Sequence, residues 1–474
     1  MHLSAALLRA RIRPGAFEPE AKIASTPHPG IADCRPPSGA RRGVLKNFLW
    51  GLESAVREEP LWKFLYPICG SIDVHKKQVT ACVRVSKGAK AEHEVRQFGT
   101  FTGDLLSLSD WFSECGVTCV AMESTGSYWR PVYTILEGQF ELVVANAHHI
   151  KNVPGRKTDT KDAVWISDLL AHGLLKASFV PPQPQRALRD LTRARSGFVG
   201  ERARLSNRIQ KLLEESNIKL ASVATDVLGV SGRAMLHAIS EGQDDAVALA
   251  QLARKSLKKK ATELEGALKG RIQPYQRVVL GELLRQVESL DGSISRLEDA
   301  IGKAIQGEPE YPFDEAATLI DTAPGASTTA ARAVIAEIGT DMKAFGSSGR
   351  LCAWAGTAPG NHQSAGKRLS GKTLHGNRAL KTLLVEIANA ASRQNGSYCQ
   401  ALYRRIAARR GRKRALLAVA NSLLKAFYHM ILNRVAYQDL GGDYFDRINK
   451  SSLVKGLTKR LANLGYDVTI KEAA

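Results

Sequence analysis

The sequence predicts a mixed α/β domain followed by a long, mostly helical region. Three observations carry this. Over residues 66–185, short β-branched runs alternate with helical stretches. Over 186–312, apolar residues recur at heptad spacing in two segments. Over 313–437, helical periodicity continues but is broken by a glycine-rich basic loop, and 438–474 read as a tail.

Each element follows from local chemistry. Residues 1–65 are rich in Pro, Arg and Ala and show no period. The opening "MHLSAALLRARIRPG" has its arginines after the short apolar run, the reverse of a secretory signal. This stretch reads as a flexible arm, or as a start codon assigned too far upstream. "ICGSIDVHKKQVTACVRV" reads as two strands joined by a polar turn, and "GVTCVAMEST" as a strand ending at Glu123. "SYWRPVYTILEG" reads as a helix, and "FELVVANA", uncharged after Glu141, as a central strand. "SFVPPQPQ" breaks the chain.

Beyond the break, Leu188, Leu191, Arg195, Phe198, Arg202, Leu205, Ile209 and Leu212 form one seam; Leu283, Val287, Leu290, Ile294, Leu297 and Ile301 form a second. Together they predict an antiparallel coiled-coil hairpin or a dimerisation arm, with ordinary helix-bundle packing as the alternative. Arg195 and Arg202 are poor seam residues, so they need acidic partners or face nucleic acid. "IDTAPGASTTAARAVIAEIG" predicts helix, Pro-Gly turn, helix, a shape that can present backbone N–H groups to a phosphate. "GTAPGNHQSAGKRLSGKTLHGN" is the basic loop, and "RALKTLLVEIANAAS" a helix after it.

Composition points to the partner. Lysine and arginine number 67 against 46 acids, a net charge of +21 that fits a polyanion, nucleic acid or an acidic membrane surface. The cations from Arg404 to Arg414 lie close to the basic loop in sequence, which favours nucleic acid. The seven cysteines (Cys34, Cys69, Cys82, Cys115, Cys119, Cys352, Cys399) include no CxxC pair. That pattern argues against a disulfide framework or zinc knuckle and fits a reducing cytoplasm. No apolar run is expected to reach the roughly 18 residues of a membrane span, so no membrane is expected as partner.

Against this basic background, "GRKTDTKDAVWISDLL" sets Asp159 and Asp162 three residues apart beside Lys151, Arg156, Lys157 and Lys161. Spacing of three puts both acids on one helix face. Capping and the helix dipole explain Asp159 well and Asp162 less well. Two further acids stand on strands: Asp73 among apolar neighbours, and Glu123 at a strand end. A carboxylate on an apolar strand is costly unless it binds a cation or lies at an edge. Four such acids can converge into an oxygen-rich site for Mg²⁺. Two ions about 4 Å apart would stabilise the attacking and leaving oxygens of a phosphodiester displacement. The acids would hold metal, and the surrounding bases phosphate.

The strings "IDVHK", "MESTGSYW" and "NVPGRKTDTKDAVWISDLL", followed by "APGASTTAARAVIAEIG", "FGSSGRLCAWAGTAPGNHQSAGKR" and "HGNRALKTLLVEIANAA", resemble the DEDD-type insertion-sequence transposases, from about Pro67 to Tyr437. The resemblance implies a RuvC-like (RNase H-like) domain over 66–185 carrying Asp73, Glu123, Asp159 and Asp162. A helical coiled-coil insert and a mostly helical C-terminal domain follow. It implies a serine nucleophile matching Ser364 in "GNHQSAGK", and a structured guide RNA, encoded by the element's non-coding end, that pairs with donor and target DNA. Without the resemblance Ser347, Ser348 and Ser370 are rivals. Lys367 and Arg368 could stabilise charge developing on phosphorus. The sequence departs from the family at Ala365, where Gly is usual, and at Gln363 and Thr357, which puts the loop's geometry in doubt.

The expectation is therefore an insertion-sequence transposase or recombinase, a homodimer or tetramer through its helical region. Arg156, Lys157, Lys161, Lys367, Arg368, Lys372, Arg404, Arg405, Arg409, Arg410 and Arg412 are expected to hold nucleic acid. The alternative is a metal-dependent junction resolvase in which Ser364 is structural.

Overall fold

The computed structural model describes residues 65–470 apart from 88–89, 125, 148–149, 151–161, 308, 361 and 374, and apart from the side chains of His362 and Arg368. The N-terminal arm, Lys151, Arg156, Lys157, Asp159 and Lys161 lie outside the described residues. The chain divides into two compact units, 1–177 and 178–474.

The first unit is built on a five-stranded sheet of order β3-β2-β1-β4-β5. Strands β1 (Ile68–Val74), β2 (Gln78–Lys87) and β3 (Lys90–Gly99) form an antiparallel meander. Strands β4 (Cys119–Glu123) and β5 (Glu141–Ala145) run parallel to β1. Helices α1 (Thr102–Glu114) and α2 (Trp129–Leu136) make the connections on either side of β4. This mixed sheet is consistent with an RNase H-like domain.

Side chains alternate across the sheet. Gly70 lies under Phe112 of α1, where an added Cβ would come within 3.1 Å of the ring. Cys69, Ser71 and Asp73 point to the other face, which α3 (Asp162–Ala171) covers. The helix is fixed there by polar ties. Ser71 Oγ donates to the Ala163 carbonyl at 2.5 Å, and Arg84, 2% exposed, donates from Nε to Asp168 Oδ1 at 2.8 Å. His93 lies 3.1 Å from the same Asp168 oxygen.

Strand β5 is at the edge of the sheet among the described residues, not central as its apolar run suggested. It reads as central because Val143, Val144 and Ala145 are buried all the same, with Val143 and Ala145 in the core beneath α3. Strand β3, charged and largely exposed, is the opposite edge. Lysine and glutamate on an edge strand discourage pairing with another chain.

The second unit begins with α4 (Gln183–Glu215), which packs along α9 (Pro274–Gln306). Arg195 meets Glu298 at 2.5 Å, and Arg202 meets Asp291 at 2.5 Å. Moving up one helix moves down the other, so the pair is antiparallel. The two seams thus pair within one chain, and both seam arginines find acidic partners.

The seam is not continuously apolar. Leu188, Ile301 and Ile305 join the C-terminal core. Leu205, Ile209, Leu212, Leu283, Leu284 and Val287 join a separate core at the far end, with the small helices α5 (Leu220–Val223), α6 (Val230–Ser240), α7 (Ala246–Gln251) and α8 (Ala261–Leu268). Between them Phe198, Ile294 and Leu297 are only half-buried, and ion pairs form the waist. The expected antiparallel hairpin is present, with two cores joined by an ion-paired waist.

The C-terminal core surrounds α15 (Arg412–Asn433), from Ala415 to Ile431. By length and composition α15 is apolar enough to cross a membrane, contrary to the expectation that no such run exists. More than half of its most apolar window is buried, so its hydropathy reflects its place in the core. Around it pack α10 (Phe313–Asp321), α11 (Thr328–Ile338), α12 (Ser348–Trp354), α13 (Arg378–Ala391) and α14 (Tyr398–Arg410). Two short helices, α16 (Tyr444–Ile448) and α17 (Lys450–Ala462), complete the described chain.

Asp291 tests the waist. Burial alone would raise its pKa, but hydrogen bonds from Arg233 and Arg202, and their charges, hold it below the usual carboxylate value. A depressed folded-state pKa contributes stability above the unfolded value of about 3.9, lost as pH falls through the folded value. Asp291→Asn is expected to lower stability by about 1–2 kcal/mol at pH 7. The deficit in thermal melts should shrink as pH falls below about 4 and on through the folded value.

Candidate active site

The register of β1 against β4 places two of the sequence's four acids together. Ile72 is opposite Met122, so Asp73 and Glu123 are the next neighbours at the carboxyl ends of two parallel strands. Such strands lie about 4.8 Å apart. Both acids belong to the odd-numbered set with Cys69, Ser71, Cys119 and Ala121, and so stand on the face that α3 covers. Asp162 is the first residue of α3, adjoining Ala163, whose carbonyl Ser71 holds. The fold therefore brings Asp73, Glu123 and Asp162 to one face near the carboxyl edge of the sheet. Asp73 and Glu123 are half-buried, and His75 Nε2 lies 3.1 Å from Asp73 Oδ2. Among the described residues no three acids, histidines or cysteines close on one point as a metal would require, and Asp159 is not among those residues.

Carboxylates on adjacent parallel strands suit a hard divalent cation, which takes one or two carboxylates and keeps its waters. Buried thiols do not compete as ligands or nucleophiles. Burial pushes Cys69 up to about 12 and Cys82 and Cys119 to about 11.

The serine is placed by a different device. The basic loop is a two-stranded hairpin, β6 (His362–Ser364) and β7 (Lys367–Ser370), a structure the glycine-rich composition concealed. Ala365 and Gly366 turn it with φ of 47° and 76°. Positive φ at both turn positions is the requirement of a type I′ hairpin, whose twist matches the strands. Ser364 is thus the last strand residue before the turn, exposed, with Lys367 as its cross-strand partner. Two of the three rival serines are engaged: Ser347 Oγ accepts the Arg350 amide as the N-cap of α12, and Ser370 Oγ accepts the Lys372 amide at 3.1 Å. Thr357, one of the departures from the family, is buried with its hydroxyl satisfied. It donates to the Cys352 carbonyl at 3.2 Å and accepts from Asn421 Nδ2 at 3.3 Å.

Exposed cations lie on the hairpin and on two helices of the same unit. Lys367 and Lys372 are exposed, and so are Arg404, Arg405, Arg409, Arg410 and Arg412, on both sides of the Gly411 turn between α14 and α15. Arg405 also lies over the Phe445 ring, 5.1 Å from its centroid.

Two family models match the chain. A DEDD transposase model of the IS110 group spans residues 70–218, which include Asp73, Glu123, Asp159 and Asp162. A model described as transposase, IS116/IS110/IS902 family, spans 317–404, which include Ser364. The chain belongs to the IS110 family of transposases. Comparison with curated proteins finds no match. A transposase of this family binds DNA and cuts and rejoins it. Arg405, Arg409, Arg410 and Arg412 lie beyond the second match.

Sequence reasoning missed three groups: β3, the Arg84–Asp168 tie, and the buried Glu337. Their signals were a charge inside an apolar run, "ACVRV" for Arg84 and "VIAEIG" for Glu337.

Ala365 occupies a left-handed position that costs a side-chain-bearing residue about 1 kcal/mol. Ala365→Gly is expected to favour the closed hairpin by about 0.5–1 kcal/mol. Amide exchange at residues 363–369 would then slow by a factor of about two to five.

Proposed function

We propose that this transposase recombines DNA through Ser364, aided by a divalent-metal site built from Asp73, Glu123, Asp159 and Asp162. The observation that carries the serine reading is its place: exposed at a type I′ turn, beside Lys367, while Ser347 and Ser370 are occupied structurally. A small hydroxyl at a hairpin tip can approach a phosphodiester closely. Attack by Ser364 Oγ on phosphorus forms a serine–phosphate ester as one sugar oxygen leaves with a proton. The ester conserves the bond energy for rejoining. Lys367 and Arg368 would stabilise the negative charge that grows on the phosphoryl oxygens.

The acids serve the other part. Asp73 and Glu123, with Asp162 at the start of α3 and Asp159 before it, would hold Mg²⁺, one or two ions. The support is the donor chemistry and the shared face. Metal bound there would supply charge stabilisation to a phosphodiester displacement.

A structured RNA encoded by the element, acting as guide, belongs to the same proposal. It is supported by the net charge of +21 and the exposed arginines at the Gly411 turn. So does assembly as a dimer or tetramer through the helical hairpin. Since α4 and α9 satisfy each other's seams, a second copy would use their outer faces, where Val199, Val278 and Val279 are exposed.

The decisive experiment traps the reaction on labelled DNA carrying the element's end, with the element's non-coding RNA present. Wild type should yield protein covalently attached to DNA. Ser364→Ala should lose the adduct and recombination, about 10³-fold or more, yet keep binding, because it removes the attacking atom and little surface. Asp162→Asn should lose cleavage and stay folded. Metal-dependent cleavage by Ser364→Ala at near wild-type rate, leaving free ends, would contradict the serine reading and favour a resolvase.

A further inference from the structure

The hairpin that carries Ser364 rests on a narrow neck, and one buried carboxylate holds that neck. Glu337, in the last turn of α11, is 4% exposed. A carboxylate so placed is costly unless its oxygens are filled. They are. Arg193 of α4 grips it at both oxygens, from Nε at 2.7 Å and Nη2 at 2.9 Å. Arg189 approaches to 3.4 Å, and Asn377 Nδ2 donates at 2.5 Å.

Asn377 ends the segment that leads from the hairpin's return strand to α13. Its Oδ1 accepts the Leu380 amide as N-cap of α13, and its backbone N–H donates to the Trp354 carbonyl at 3.2 Å. Upstream, the two sides of the neck touch backbone to backbone. A Cβ on Gly376 would fall 2.3 Å from Gly356 N, and one on Gly360 would fall 2.1 Å from the Lys372 oxygen. Lys381 Nζ ties Thr373 Oγ1 to α13 at 3.0 Å. Beyond the neck, Gln363 to Lys367, Leu369 and Ser370 are exposed and pack on no core.

We propose that Asn377, held by Glu337, is a positioning residue for the Ser364 hairpin. The Arg193–Glu337–Asn377 chain sets the neck's direction against the base of α4. Arg193 shares that helix with Arg195 and Arg202, so the serine's mount and the helical hairpin rest on one rigid element. This inference rests on the reading of Ser364 as nucleophile.

The test separates capping from positioning. Asn377→Ser keeps a good N-cap but lacks the amide that reaches Glu337. Glu337→Gln breaks the same chain from the other side, because a neutral amide cannot accept from both Arg193 and Asn377 at full strength. Three quantities are measured on the full-length protein: melting temperature, affinity for DNA carrying the element's end with the element's non-coding RNA present, and the rate of covalent adduct formation at saturating DNA. Amide exchange over 362–372 is followed in parallel.

Asn377→Ser should melt within about 2 °C of wild type and bind DNA within about twofold. Its adduct rate should fall about 10- to 100-fold, and hairpin exchange should quicken about tenfold. Glu337→Gln should show the same split between rate and affinity. Unchanged hairpin exchange in both variants would overturn the proposal, and so would faster exchange with an unchanged adduct rate. The underlying serine reading fails separately, if Ser364→Ala still forms the adduct.

Discussion

The parallel pairing of β1 with β4 is the constraint on which the first unit depends. Its register sets Asp73 beside Glu123, two like charges on one face of the sheet. The contacts that hold α3 over the same face bring Asp162 to it as well. Ser71 holds the Ala163 carbonyl, and Arg84 holds Asp168. Arg84 is fully buried, so the tie is one that cannot loosen cheaply: removing one partner strands the other's charge. A sheet edge built this way offers carboxylate oxygens of the kind the proposed divalent cation would take.

The second unit follows the opposite principle. Ser364, the proposed nucleophile, is on an exposed hairpin, while the contacts that fix the hairpin's neck are buried beneath. Reactive groups on loops need a rigid scaffold. Here the scaffold is polar at its key point: Glu337 gathers Arg189, Arg193 and Asn377 from two other elements. The waist of the helical hairpin works similarly, with Asp291 between Arg202 and Arg233. Apolar cores lie at the two ends of that hairpin, and charged pairs set the register between them.

Much of this was legible in the residues. β1, β2 and β4 follow from β-branched alternation, and the acids at their ends follow from the cost of placing charge there. β3 was illegible because an exposed edge strand carries no apolar signal: six of its ten residues are polar or charged. β5 was mistaken for a central strand because helices bury an edge as well as neighbours do. The serine hairpin read as a loop because its turn is Ala-Gly, not the Asn-Gly or Asp-Gly that announces a type I′ turn. The seams were visible and their arginines called for acidic partners or nucleic acid, but spacing alone does not show that Glu298 and Asp291 meet them. Glu337 was hidden for a simpler reason: one acid in an apolar helix gives no hint of which distant side chains will fill its oxygens.

The central claim is that the paired strand acids exist to bind a divalent ion. Mn²⁺ tests it most directly, because it substitutes for Mg²⁺ at oxygen sites and is visible by paramagnetic resonance and anomalous scattering. The account predicts a Mn²⁺ ion within direct ligand distance of both Asp73 and Glu123, lost in Asp73→Asn while the protein stays folded. Saturating Mn²⁺ that leaves both carboxylates without an ion would contradict it.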